Sequence, residues 1–308
     1  MVITIVGIRA PNPSPLTLDG TNSYLVIDTD TRQALCIDPG PHMTEHITAI
    51  LRDCAMHDAE ITTIAITHGH PDHAPGALVL QSLCGAPIYA HSNSSVPHDI
   101  SLVDQQSIPV GSAHVVAIDA PGHTFDHLVF YEPFNRALFT GDVLLGTGYV
   151  VIAPPGGAMR PYQRTLARLA TEYAGAGCIY PGHGELVDDP AERIANYRAH
   201  REQREHELLA ALARGPQTIP SLVERIYAQT PQALWPAAAR QLLAYLLALE
   251  DEEHVRSHVV KRELTLAEAT ILYPHWATIV GTRDAPLVEA ELGTASAHRE
   301  LRAYELLT

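Results

Sequence analysis

The stretch Thr67-His68-Gly69-His70-Pro71-Asp72-His73 constrains this chain more than any other, because it follows the apolar, β-branched run Ile61-Thr62-Thr63-Ile64-Ala65-Ile66. A run of that kind, bounded by polar residues, predicts a buried strand that delivers His68 and His70 at its carboxyl end. In extended backbone, positions i and i+2 face the same way, so both imidazoles can reach one metal ion. Asp72 and His73 follow the Pro71 bend, where Ala74 to Leu80 begins a predicted helix, and they approach the same hollow from a second direction. In a chain with 18 His, a pair two apart on a surface loop would mean little. The added Asp-His and the preceding strand make it a candidate site.

A chain of 308 residues with 46% hydrophobic content can bury one large core and a small one. No apolar run approaches the length of a membrane span. The first residues lack the basic flank and small-residue cleavage site of a secretory signal, so a cytoplasmic location without membrane attachment is expected. Cys36, Cys54, Cys84 and Cys178 show no C-x-x-C spacing and read as small core residues in a reducing compartment. The net charge of −15 weakly opposes polyanion binding by bulk attraction, and with Lys261 as the only lysine, cationic recognition falls to Arg.

His68, His70, Asp72 and His73 resemble the metal-binding signature of the metallo-β-lactamase superfamily. The resemblance implies an α/β fold, the αββα sandwich, with a metal centre at one edge and three further ligands downstream. It assigns His123 in Pro121-Gly122-His123-Thr124, Asp142 in Phe139-Thr140-Gly141-Asp142 and His183 in Pro181-Gly182-His183-Gly184. His68, His70 and His123 would then hold one cation, Asp72, His73 and His183 a second, and Asp142 would bridge them. Zinc is the expected metal, with manganese or iron as alternatives. Asn12-Pro13-Ser14-Pro15 followed by Gly20-Thr21-Asn22-Ser23-Tyr24-Leu25-Val26 is similar to the start of the lactamase-beta-2 branch, which is endoribonuclease-like and carries a winged-helix tail.

Four other residues are candidates for supporting the site or meeting substrate. Asn22 stands in a polar turn, where a plain hairpin is the simpler account. Asp38, in Cys36-Ile37-Asp38-Pro39-Gly40, sits beneath the metal loops in superfamily terms. His127 opens an apolar run and is expected to hydrogen-bond in the core rather than ligate. His200 lies in Tyr197-Arg198-Ala199-His200-Arg201, which resembles a helix beside the site in the same branch. His91 ends a predicted strand and is expected to face solvent.

Residues 143 to 160 show no periodicity and read either as a loop that covers a substrate or as an inert surface excursion, whereas helices are predicted over 162 to 173 and 190 to 213. Gly215-Pro216 breaks the second helix, which bounds a catalytic domain at 1–214. Residues 215–262 read as a winged-helix-like module. Helices at 218–229 and 236–250 precede a wing, His254 to Arg262, with three fixed positive charges and no acid. That module either tethers a phosphate backbone or caps the site wall or a homodimer contact. Residues 263–308 form a tail of unassigned role, helical in tendency only from Ala297 to Leu307.

Two cations would lower the pKa of a bridging water, so the expected chemistry is hydrolysis by a hydroxide held between metal ions, with Asp72 orienting it. No G-x-S-x-G elbow or Walker loop points elsewhere. The branch resemblance implies single-stranded RNA as substrate, and the same ligands also serve thioester or ester hydrolysis. A mononuclear iron persulfide dioxygenase, using two His and one Asp, is the alternative from another class. Retention of Asp72, His73 and His183 favours two metals.

Overall fold

The computed structural model describes residues 2–272 and 301–307. Two compact units emerge, the first from Met1–Val150 and Thr165–Ala195, the second from Val151–Arg164 and Asn196–Thr308.

The first unit opens with β1 (Ile3–Arg9), β2 (Asn22–Asp28) and β3 (Gln33–Ile37), then α1 (Thr44–Met56), β4 (Glu60–Ala65), α2 (Gly76–Cys84), β5 (Ile88–His91) and β6 (Ile100–Leu102). These strands form one six-stranded sheet in chain order, antiparallel from β1 to β3 and parallel from β3 to β6. Next come β7 (Ser107–Val110), β8 (Ala113–Asp119), β9 (Leu128–Glu132), β10 (Ala137–Gly141) and β11 (Cys178–Pro181), while α3 (Met159–Glu172) and α4 (Pro190–Leu212) each have residues in both units. The second sheet runs β11-β10-β9-β8-β7. Pro109 is tolerated in β7 because that strand is an edge.

Period-two alternation builds the layers. Tyr24, Val26, Leu35, Ile37 and Ala65 of the first sheet pack with Val115, Ala117, Leu128, Phe130 and Phe139 of the second. Their neighbours Leu25, Ile27, Cys36 and Ile64 face the other way, onto Ile47, Ile50 and Leu80 of α1 and α2. Thr165 and Arg168 of α3 bond to Pro121 and Asp104 beside the second sheet. The result is the αββα sandwich.

The second unit holds β12 (Gln217–Thr218), α5 (Ile219–Ile226), α6 (Trp235–Asp251), β13 (Val255–Val259), α7 (Leu266–Leu272) and β14 (Arg302–Leu306). Thr218 caps α5, and Pro236 at the start of α6 has no N–H to lose there. Leu222, Val223, Leu242, Leu246 and Leu249 are buried. β14 lies between β12 and β13 in a three-stranded sheet.

Several expectations need correction. Residues 302 to 306 form a strand rather than the end of a helix, because two-sided pairing outweighs the helix propensity of Arg, Ala, Glu and Leu. The first part of that expected helix, residues 297–300, lies outside the described residues, as does Gly281-Thr282-Arg283-Asp284-Ala285-Pro286, which reads as a turn in the sequence. α3 begins at Met159, earlier than its periodicity indicated. The wing is not free of acids in space: Glu305 meets Arg256 at 2.7 Å and Glu268 meets Arg262 at 2.6 Å. Among the described residues, no helix is long and apolar enough to cross a membrane.

Candidate metal centre

Four strand ends deliver seven buried donors to one edge of the sandwich. His68, His70, Asp72 and His73 follow β4, His123 follows β8, Asp142 follows β10 and His183 follows β11. Two groups result, and each could hold a metal ion: His68, His70, His123 and Asp142, and Asp72, His73 and His183, with the donor atoms in each group within 4.8 Å of one another.

In the first group, His70 Nδ1 lies 2.9 Å from His68 Nε2 and 3.2 Å from His123 Nε2, and Asp142 Oδ2 is 3.7 Å from His123 Nε2. In the second, Asp72 Oδ2 is 3.1 Å from His183 Nε2 and 3.3 Å from His73 Nε2, and those two nitrogens are 3.4 Å apart. Donors about 2.1 Å from a tetrahedral cation stand about 3.4 Å from each other, so both groups have the right span. Asp142 Oδ1 is 3.4 Å from both His73 and His183, while Oδ2 faces His123. One carboxylate thus offers one oxygen to each group. Asp142 Oδ1 is buried with no hydrogen-bond partner, a costly state that a cation relieves, and Asp72 Oδ1 is buried and unpartnered as well.

The outer nitrogens of three rings are committed elsewhere, which aims Nε2 inward. His73 Nδ1 donates to Asp38 Oδ2 at 2.8 Å, His183 Nδ1 donates to the Gly20 carbonyl at 3.2 Å, and His68 Nδ1 donates to Thr67 Oγ1 at 3.0 Å. Asp38 is the hub: its carboxylate also takes the Thr67 N–H at 2.7 Å and the Thr67 hydroxyl at 2.6 Å. Behind it, His46 Nε2 donates to Ser23 Oγ at 2.7 Å, and the Ser23 hydroxyl donates to the Asp38 carbonyl.

Crowded charge decides the protonation of the centre. Burial pulls His183 down, but the facing carboxylates of Asp142 and Asp72 outweigh it and push the ring up to about 10. His73 rises well above the usual range for the same reason, against the same burial. Burial and the neighbouring rings of His73 and His70 drive His68 well below it. Despite burial, which opposes ionisation, Asp72 and Asp142 are held well below the carboxylate range by His73 and His183. The cavity is built for positive charge between carboxylates, and a cation replaces the protons that otherwise supply it.

The remaining candidates fall outside the donor groups. Asn22 Nδ2 donates to the Pro181 carbonyl at 3.0 Å and the Gly184 carbonyl at 2.8 Å, holding the turn that carries His183. His127 stacks on His68 at 4.6 Å, and its Nε2 accepts the Asp142 N–H at 3.1 Å. His200 belongs to the second unit and to neither donor group. His91, expected to face solvent, is instead buried, with Nε2 3.4 Å from Asp119, because β6 pairs alongside its strand end. Thr21, Thr67, Ser23 and His46 also support the site, and no motif of the sequence names them as candidates. Thr67 adjoins His68 and Thr21 adjoins Asn22, but nothing near His46 in the chain marks it.

Gly182 has no room for a side chain, since a Cβ there would stand 2.5 Å from Asp142 Oδ1 and 2.7 Å from His73 Cε1.

Residues 16–183 match the profile of the metallo-beta-lactamase superfamily, and residues 218–261 match that of the beta-lactamase associated winged helix domain. The chain is 31% identical over 274 residues to the beta-lactamase-like protein 2 homolog of Drosophila melanogaster, covering 82% of this chain and 90% of that protein. It is also 31% identical over 239 residues to the atrochrysone carboxyl ACP thioesterase of Aspergillus chevalieri, covering 74% of each. A metallo-beta-lactamase family protein from Thermus thermophilus shares the fold with a TM-score of 0.69 at 22% identity, covering 82% of this chain and 95% of that one. A profile match across more than half of the chain, together with relatives of this identity and coverage, makes it a member of the metallo-β-lactamase superfamily with a winged-helix domain after the catalytic fold.

Proposed function

We propose that the chain is a dinuclear metal-dependent hydrolase and that its substrate is an acyl thioester or ester. The observation that carries this is Asp142, whose two oxygens face two separate groups of buried donors. His68, His70 and His123 would hold one divalent cation, Asp72, His73 and His183 the other, with Asp142 between them. Zinc suits the nitrogen-rich set best, and manganese or iron are the other candidates. Two such ions supply a water activated at neutral pH and a Lewis acid for the carbonyl oxygen.

The chain's own residues set the geometry of the reaction. His127 and the tight turn at Gly141, with φ of +45°, fix the Asp142 backbone, so the distance between the two groups is built in. Asp72 Oδ1, buried and without a partner, is the atom available to accept a hydrogen bond from the attacking water and orient it. The new C–O bond forms as the C–S bond breaks, and the sulfur leaves with the proton that the water gives up. Burial of all seven donors keeps bulk water from screening these charges.

The choice of an acyl substrate is supported by the relative named as an ACP thioesterase and by the net charge of −15. The ion pairs of Arg256 and Arg262 with acids weaken the case for RNA, because a paired guanidinium contributes little to phosphate binding. A mononuclear iron dioxygenase has no use for the second donor group. Metal analysis of purified protein, then parallel assays on acyl thioesters and short single-stranded RNA, tests the proposal. Two divalent ions per chain and thioester turnover abolished by Asp142→Ala are expected. One iron with oxygen uptake, or cleavage of RNA alone, would overturn it.

A further inference from the structure

The Asn12-Pro13-Ser14-Pro15 leader and the Gly20-Thr21-Asn22 turn have no part in the donor set, yet they converge on one half of it. The Asn12 side chain clasps Thr21 at two points: its Oδ1 accepts the Thr21 N–H at 2.9 Å, and its Nδ2 donates to Thr21 Oγ1 at 3.0 Å. The backbone N–H of Thr21 can only donate, so the orientation of the Asn12 amide is forced. Because Nδ2 fills an acceptor position of the Thr21 hydroxyl, the single hydroxyl proton is directed to Asp72 Oδ2, 2.9 Å away.

Asn12 is itself fixed. Its N–H donates to the Ala10 carbonyl at 2.9 Å, its carbonyl accepts the Thr17 hydroxyl at 2.6 Å, and Pro11 and Pro13 restrict the backbone on either side. Gly20, at φ of +133°, permits the close approach, since a Cβ there would collide with the Ala10 carbonyl. The neighbours of Thr21 serve the same half of the centre. The Gly20 carbonyl takes His183 Nδ1, and Asn22 holds the carbonyls of Pro181 and Gly184 on either side of His183.

We infer that Asn12 and Thr21 are positioning residues that set the rotation of the Asp72 carboxylate and so govern occupancy of the second donor group independently of the first. The inference rests on the two-ion reading above. Oδ2, fixed by the hydroxyl, is the oxygen that faces His73 and His183, and Oδ1 is left open. Without the hydroxyl, rotation about the terminal bond of Asp72 is held only by the ring nitrogens. His68, His70 and His123 are untouched by that change.

Thr21→Val keeps the shape and removes the proton donor, Thr21→Ser restores the donor, and Asn12→Ala releases the hydroxyl from its clasp. Zinc is titrated into each metal-free protein against a chromophoric chelator, with metal content after dialysis as a second readout. In Thr21→Val one of the two binding steps should lose about 10–100-fold in affinity, the usual cost of removing a group that orients a ligand. The other step should be unchanged, Thr21→Ser should restore the wild-type titration, and Asn12→Ala should shift the same step in the same direction. If Thr21→Val does not fold, Asn12→Ala carries the test. Two unchanged steps in Thr21→Val and Asn12→Ala, or equal loss of both steps, would overturn the inference and leave the hydrolase proposal standing. A wild-type protein that binds fewer than two ions sinks both.

Discussion

Replacing Asp38 by Asn asks whether one carboxylate sets the tautomer of a proposed ligand. Its two oxygens take three hydrogen bonds, from the Thr67 N–H at 2.7 Å, the Thr67 hydroxyl at 2.6 Å and His73 Nδ1 at 2.8 Å. An amide has one oxygen and an NH2. With the oxygen toward the Thr67 N–H, the NH2 faces His73 Nδ1, which can accept only if its proton moves to Nε2, the atom aimed at Asp72 and His183. With the oxygen toward His73, the NH2 opposes the Thr67 N–H, donor against donor. Asn tolerates φ of +48° as Asp does, so the backbone is spared and the effect belongs to the side chain.

Loss of a charge-assisted bond in this buried setting costs on the order of 3 kcal/mol. The first orientation also spoils one ligand of the second group, worth about 10–100-fold in metal affinity. Urea unfolding of metal-free protein, followed by far-ultraviolet circular dichroism, reads the first effect. Chelator competition with zinc reads the second. An Asp38→Asn protein with the wild-type urea midpoint and both zinc affinities within about threefold of wild type would refute the tautomer argument.

Three further outcomes are expected. His46 is buried as the neutral ring, its pKa lowered from 6.5 to about 4 mainly by burial, so the unfolded chain takes up its proton first as pH falls; stability present above pH 6.5 is lost progressively toward pH 4, by about 3 kcal/mol in all. His46→Gln, which can still donate to Ser23, should flatten that acid slope in denaturation curves, and an unchanged slope would exclude His46 as its source. Gly182→Ala should retain its circular dichroism spectrum while losing about 100-fold in turnover, because the added Cβ displaces Asp142 and His73; full activity would show that the turn yields freely. Stripping the metals with a chelator should destabilise the wild type by about 3 kcal/mol for each ion held at a hundredfold excess over its Kd, and Asp142→Ala should show a much smaller loss in a thermal melt.

Much of the centre can be read from the chain because each donor sits in a short local pattern at a strand end. The i, i+2 geometry of His68 and His70, the Pro71 bend before Asp72-His73, and the glycine turns before His123, Asp142 and His183 are all local. The unbroken apolar runs Tyr24 to Ile27 in β2 and Ala34 to Ile37 in β3 likewise show two buried faces, which a sandwich covered by helices requires. The short strands β6 and β7 carry too few residues for a period to show.

What only the tertiary structure decides is the set of contacts made across long separations in sequence. Asn12, Thr21 and Asp72 meet through side chains that no local period relates. The same holds for His46, Ser23 and Asp38, and for Glu305, which pairs with Arg256 of a wing that carries no acid of its own in sequence. Strand ends and turns are dictated by neighbouring residues, so sequence determines where the seven donors sit. The orientation of His73, His183 and Asp72 is set by a hydrogen-bond partner from another part of the chain, so it exists only once the sheets have packed.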